Sequence, residues 1–122
     1  MFHDLAHVAA SALKSWYQTK MAIEHVSVVS SDALHVLVGP FLWLLAAAVI
    51  RRRLSDWLPW LFALAAALFN EGVDLWVERW PSPRQQYIET AKDILLTIAL
   101  PTVLVIAARL RPDLFKPGRR SR

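Results

Sequence analysis

Asn70-Glu71-Gly72-Val73-Asp74 brings two carboxylates and a carboxamide to the end of an apolar run, Trp57 to Phe69. That run has the character of a membrane helix. An unpaired charge at such a place costs roughly 2.5–3.5 kcal/mol on insertion scales. These groups therefore require a partner, a water-filled cavity or a function. Polar residues on the neighbouring apolar segments also repeat at helical spacing. Asp32, His35 and Gly39 are three and four apart, and so are Glu71, Asp74 and Glu78. Asn70 lies beside Asp74, and Glu89, Asp93, Thr97 and Pro101 recur every four residues. Packed against one another, the three stripes would enclose a pocket of His35, Asn70, Glu71, Asp74, Asp93 and Thr97. Lys92 and Asp32 would stand near its mouth.

Several chemistries suit such a set. His35 could donate to Glu71 or Asp74 while Lys92 or Arg84 neutralises another acid, which would hold a small bundle together. One imidazole with two or three carboxylates also suits a hard or borderline divalent ion. The donors are scattered singly, however, without the paired spacing of an HExxH motif, so no metal and no cofactor is assigned. His3 and His7 are four apart on a polar face and read as solvated. Proton transfer between crowded carboxylates is a third use. Binding the polar head of a lipid is a fourth. No nucleophile motif, glycine-rich phosphate loop or Ser-His-Asp spacing is present, so no catalytic residue is assigned and an enzyme is the less favoured expectation. Ser27, Ser30 and Ser31 precede His35, and an N-cap role accounts for Ser30 and Ser31.

The segments that carry these residues read as an all-α membrane protein. The chain has 122 residues, 56% of them hydrophobic, against roughly 45–50% in ordinary soluble domains. Its mean hydropathy is +0.34. There are no cysteines, which excludes disulfides and thiolate metal sites. The net charge of +4 comes from basic residues that flank apolar runs, the pattern of membrane topology rather than of nucleic-acid binding. No basic region opens the chain, so no secretory signal is expected.

Residues 1–30 read as an amphipathic interfacial helix, too polar to span. Three spans follow, at about 33–50, 57–77 and 91–108, with residues 109–122 as a basic tail. Eighteen residues rise about 27 Å, close to the hydrocarbon thickness. Gly39-Pro40 and Pro101 are candidate kinks, Pro59 fits a first turn, and a short amphipathic stretch, Gln85 to Thr90, leads into the third span. Trp57 and Trp60 at one boundary, with Trp76 and Trp80 at the other, match aromatic belts. The loop Arg51-Arg52-Arg53 and the tail hold nine basic residues, and the opposite side holds five. The positive-inside rule then puts the C-terminus in the cytoplasm and the N-terminus outside. Eight of the ten acids fall on the outer side. Acids contribute little to topology, so this bias asks for another cause.

His35, the Arg51-Arg52-Arg53 loop, Glu71 and Asp93 together resemble the VanZ-like family of small bacterial membrane proteins. That family's pattern has a His in a first span, a short basic loop, and a second span ending in Glu-x-x-Gln. An Arg and an Asp opening the next span follow, with Asn four residues later. Here Asp74 stands at the Gln, Thr97 at the Asn, and Gln86 near the Arg. The resemblance covers roughly residues 31–105. It implies a bacterial inner-membrane protein of the cell envelope, in a family associated with reduced binding of a glycopeptide antibiotic to the cell surface.

The leading expectation is therefore an exterior-side polar pocket that binds a membrane lipid or cell-envelope amphiphile, without nucleic acid. The alternative is an accessory or assembly subunit, as a homo-oligomer or in a larger membrane complex, with Phe41, Trp43 and the N-terminal helix as contacts. A holin-like lysis protein is a third reading, suggested by three spans and a basic tail.

Overall fold

The computed structural model describes residues 1–26 and 29–114. They form four helices: α1 (Phe2–Val26), α2 (Ser31–Ile50), α3 (Trp57–Val77) and α4 (Pro83–Leu110). No strand occurs among the described residues. α2, α3 and α4 are each long and apolar enough to cross a membrane. At about 1.5 Å per residue each rises about 30 Å or more, the depth of a bilayer's hydrocarbon core. Ser27, Val28 and residues 115–122, which include most of the basic tail, lie outside the described residues.

Local chemistry sets most of the boundaries. The Ser30 hydroxyl accepts from the Ala33 N–H at 3.2 Å and caps α2. Arg51 ends it in a left-handed conformation (φ 54°), with its N–H returned to the Ala47 carbonyl. Pro59 lies in the first turn of α3, where no helical hydrogen bond needs its missing donor. Ser82 caps α4 through the Gln85 N–H at 3.4 Å, and Pro83 opens that helix. Here the expected boundary shifts. The polar stretch Gln85–Thr90 is no separate element but the first turns of α4, which begins at Pro83 rather than near Ala91. Once Ser82 and Pro83 have nucleated a helix, nothing between Pro83 and Ala91 breaks it.

α2, α3 and α4 pack pairwise into a three-helix bundle, and α1 lies against α3. The bundle's core is thin. Trp43, Ala63 and Val105 form its centre, with Leu42, Leu54, Trp60 and Leu104 packed around them. Small residues let the helices approach closely, as in membrane bundles generally. Gly39 is the sharpest case: a Cβ built there would lie 1.7 Å from the Thr97 carbonyl oxygen on α4. Most large apolar side chains point outward, among them Leu37, Phe41, Val49, Phe62, Phe69, Leu95 and Val103. In water that distribution would be an association surface. In lipid it carries no such penalty, because acyl chains are as apolar as the side chains.

Trp43 does not belong to that outer surface. It is 1% exposed, so it cannot serve as the partner contact expected from the sequence, whereas Phe41 remains exposed. The two residues are two positions apart and so take different faces of α2. The Trp60 indole instead donates to the Thr102 hydroxyl at 2.8 Å, and that hydroxyl donates to the Ile98 carbonyl at 2.6 Å. Trp60→Phe removes the first bond while keeping an aromatic ring. It is expected to lower bundle stability by about 0.5–1.5 kcal/mol, read from reversible unfolding in detergent.

α1 is of a different kind. None of its described residues is buried, and Phe2, Leu5, Val8, Trp16 and Ile23 are all exposed. Its polar hold on the bundle runs through Trp16, Tyr17, Lys20 and Glu24, which accepts from the Ser31 hydroxyl of α2 at 3.2 Å.

Candidate functional site

The three polar stripes come together at one end of the bundle. The start of α2 supplies His35, the last turns of α3 supply Asn70, Glu71 and Asp74, and the middle of α4 supplies Asp93 and Thr97. The close approach at Gly39 sets their depth, since it presses the backbone of α2 against Thr97. His35 lies one turn before Gly39, so its ring reaches the same stretch of α4.

Two fixed hydrogen bonds orient His35. The Thr97 hydroxyl donates to the Asp93 carbonyl at 2.8 Å, its own helix's i−4 acceptor. A hydroxyl has one hydrogen. Toward His35 Nδ1, 3.1 Å away, Thr97 must therefore accept, and Nδ1 carries the proton. Nε2 then faces the carboxylates, with Asp93 Oδ2 3.6 Å away. Glu71 is the most enclosed acid of the set, at 4% exposure. The Asn70 amide donates to its Oε1 at 3.1 Å. One donor atom from each of His35, Glu71 and Asp93 lies within 4.8 Å of the others.

Asp74 takes a separate role. The Lys20 ammonium of α1 forms an ion pair with it and also donates to Asn70 Oδ1 at 3.2 Å. The Trp16 indole donates to the same Asn70 oxygen at 3.4 Å. Asn70 thus links the α1 clamp to Glu71. One step further along α3, the Tyr17 hydroxyl donates to Glu78 at 2.7 Å, and the Trp80 indole donates to its other oxygen at 2.8 Å. The hydrogen bond to Glu78, with burial as the second cause, pushes the Tyr17 hydroxyl up to about 12. Tyr17 therefore stays a donor throughout the physiological range. At the rim Lys92 bridges Asp32 at 3.2 Å and Glu89 at 2.5 Å, as its expected place near the mouth requires.

The cation opposite Asp74 is thus Lys20 rather than His35, which lies beside Asp93, while Lys92 neutralises other acids, Asp32 and Glu89. Sequence reasoning placed Lys20 on the outer side but gave it no part in the pocket. A signal was present: Trp16, Tyr17 and Lys20 sit three and four apart on α1 and present donors, complementary to the acceptor stripe Asn70, Asp74 and Glu78 on α3.

These side chains bound two adjoining cavities. A polar one of about 250 Å³ is lined by seven acids (Glu24, Asp32, Glu71, Asp74, Glu78, Glu89 and Asp93), with Lys20 and His35. An apolar one of about 360 Å³ reaches between Trp16, Ile23, Leu34, Val38, Leu42 and Phe69. His35, Glu71, Lys20 and Glu24 line both. A polar cavity beside an apolar one, with shared walls, suits an amphiphile, its head in one and its chain against the other. Comparison with protein-family models, with curated proteins and with solved structures finds no match to this chain.

Proposed function

We propose that this chain is a multi-pass protein of the bacterial inner membrane, VanZ-like in type, whose pocket binds a lipid or cell-envelope amphiphile. The observation that carries the reading is the pair of adjoining cavities sharing His35 and Glu71. The resemblance draws support from geometry: His35, Glu71 and Asp93, which carry it, come from three helices and meet at one point. The orientation follows from charge. Arg51-Arg52-Arg53 and Arg109 lie at the end of the bundle away from the pocket, which the positive-inside rule assigns to the cytoplasm. The pocket then faces the exterior, and α1 lies along the outer interface with its apolar residues in the headgroup region.

The test is retention of lipid. The full chain purified in mild detergent is expected to carry a bound amphiphile that mass spectrometry of the extract identifies. Val38→Trp fills the apolar cavity from its exposed edge. It is expected to reduce the bound amount severalfold without changing helical content. Equal retention in wild type and variant would remove the reading. A stoichiometric partner protein without bound lipid would favour the accessory-subunit alternative.

A further inference from the structure

We infer that His35 Nε2 and carboxylate oxygens of Glu71 and Asp93 form a binding site for one divalent transition-metal ion. This goes beyond the amphiphile reading and does not rest on it. The donor atoms lie within 4.8 Å of one another. Three ligands at a typical metal–N or metal–O distance of about 2.1 Å stand about 3.4–3.6 Å apart, and His35 Nε2 and Asp93 Oδ2 are already 3.6 Å apart. Side-chain adjustments of up to about 1 Å, within the reach of a rotamer change, close the site. The scattering of the donors along the chain is no obstacle, because three helices each deliver one of them.

Two independent observations point to a cation there. The first is orientation. Thr97 accepts from Nδ1 of His35 and so turns Nε2 toward the acids. A second hydrogen bond that fixes the ring is the common outer-shell arrangement of metal-bound histidines. The second is charge. Glu71 is nearly fully enclosed, and its one hydrogen bond among the described residues comes from a neutral amide. The nearby ammonium groups are already engaged, Lys20 with Asp74 and Lys92 with Asp32 and Glu89. An imidazole and two acids thus converge where no ammonium group among the described residues pairs with Glu71 or Asp93. A site of one imidazole and two carboxylates suits Zn²⁺ or Mn²⁺ rather than a soft ion. The polar cavity leaves room beside it for water or a ligand oxygen.

The experiment is titration of the full chain in detergent, stripped with EDTA and free of added lipid, with ZnCl₂ and separately MnCl₂ by calorimetry. His3 and His7, with ring centroids 4.6 Å apart, are a second imidazole pair. They are replaced by alanine in every sample. One ion per chain is expected. Glu71→Gln and Asp93→Asn should abolish it, and Thr97→Val, which keeps the shape but frees the ring, should weaken it by about 10–100-fold. If the folded protein with His35, Glu71 and Asp93 intact binds neither ion, the inference is overturned. It is also overturned if the Glu71 and Asp93 variants bind as tightly as the parent. No lipid enters the titration, so its outcome is separate from that of the lipid-retention test.

Discussion

Gly39→Val is expected to force α2 and α4 apart and to cost the bundle about 1–3 kcal/mol or more of stability. The first added atom would sit 1.7 Å from the Thr97 carbonyl oxygen and 2.8 Å from its carbon. Both are backbone atoms of a helix, so no side chain can swing aside, and one helix must move. The consequence extends past packing. His35 and Thr97 share a hydrogen bond one turn from the contact, and displacing α4 carries Asp93 away as well. The variant should therefore lose pocket binding together with stability. Unfolding in detergent measures the first effect, and lipid or metal binding near the folding midpoint's native baseline measures the second. Gly72→Ala is the matching control. Nothing lies within 4 Å of a Cβ there, and Gly72 is exposed on α3. Alanine restricts the unfolded chain and suits a helix, so stability should be unchanged or rise by up to about 1 kcal/mol. A Gly39→Val protein as stable as the parent would refute the close approach of α2 and α4.

Lys20→Met is expected to release α1 from the bundle. Its ammonium pairs with Asp74, and both side chains are about a fifth exposed. Removing one partner of a buried pair costs about 3–5 kcal/mol, and partial exposure reduces that to roughly 1–3 kcal/mol here. α1 has little else to hold it, since none of its described residues is buried. Other contacts include Trp16 on Asn70, a long hydrogen bond at 3.4 Å, Tyr17 on Glu78 at 2.7 Å, and the Ser31 hydroxyl donating to Glu24 at 3.2 Å. Amide hydrogen exchange should rise across α1 while the cores of α2, α3 and α4 keep their protection. The double variant Lys20→Met/Asp74→Asn removes the stranded charge and should recover much of the loss. Unchanged exchange in the single variant would mean that the lipid surface, not Lys20, retains α1.

The pocket residues differed in how readable they were. His35, Glu71, Asp93 and Thr97 stand out because polar side chains on apolar helices are costly, and their three- and four-residue spacing groups them by face. Lys20 did not stand out. It lies in a helix with many polar residues, where a lysine is unremarkable until the partner helix is known. Trp43 was misplaced for a related reason. On a helix apolar on every side, periodicity gives no clue to which face meets protein and which meets lipid.

Local rules were enough for the helices themselves. Ser30 marks the start of α2 and Pro59 the first turn of α3, and uninterrupted apolar composition gives spans of bilayer length, because capping and hydropathy depend on residues within a turn or two. The start of α4 at Ser82 and Pro83 was not among the boundaries read in this way. The rotation of each helix about its axis is not local. It is set where Gly39 meets Thr97 and where Trp43 finds Ala63 and Val105, contacts between residues far apart in the chain. That rotation alone turns three separate stripes into one site, gives Asp74 to Lys20, and leaves His35, Glu71 and Asp93 facing one another.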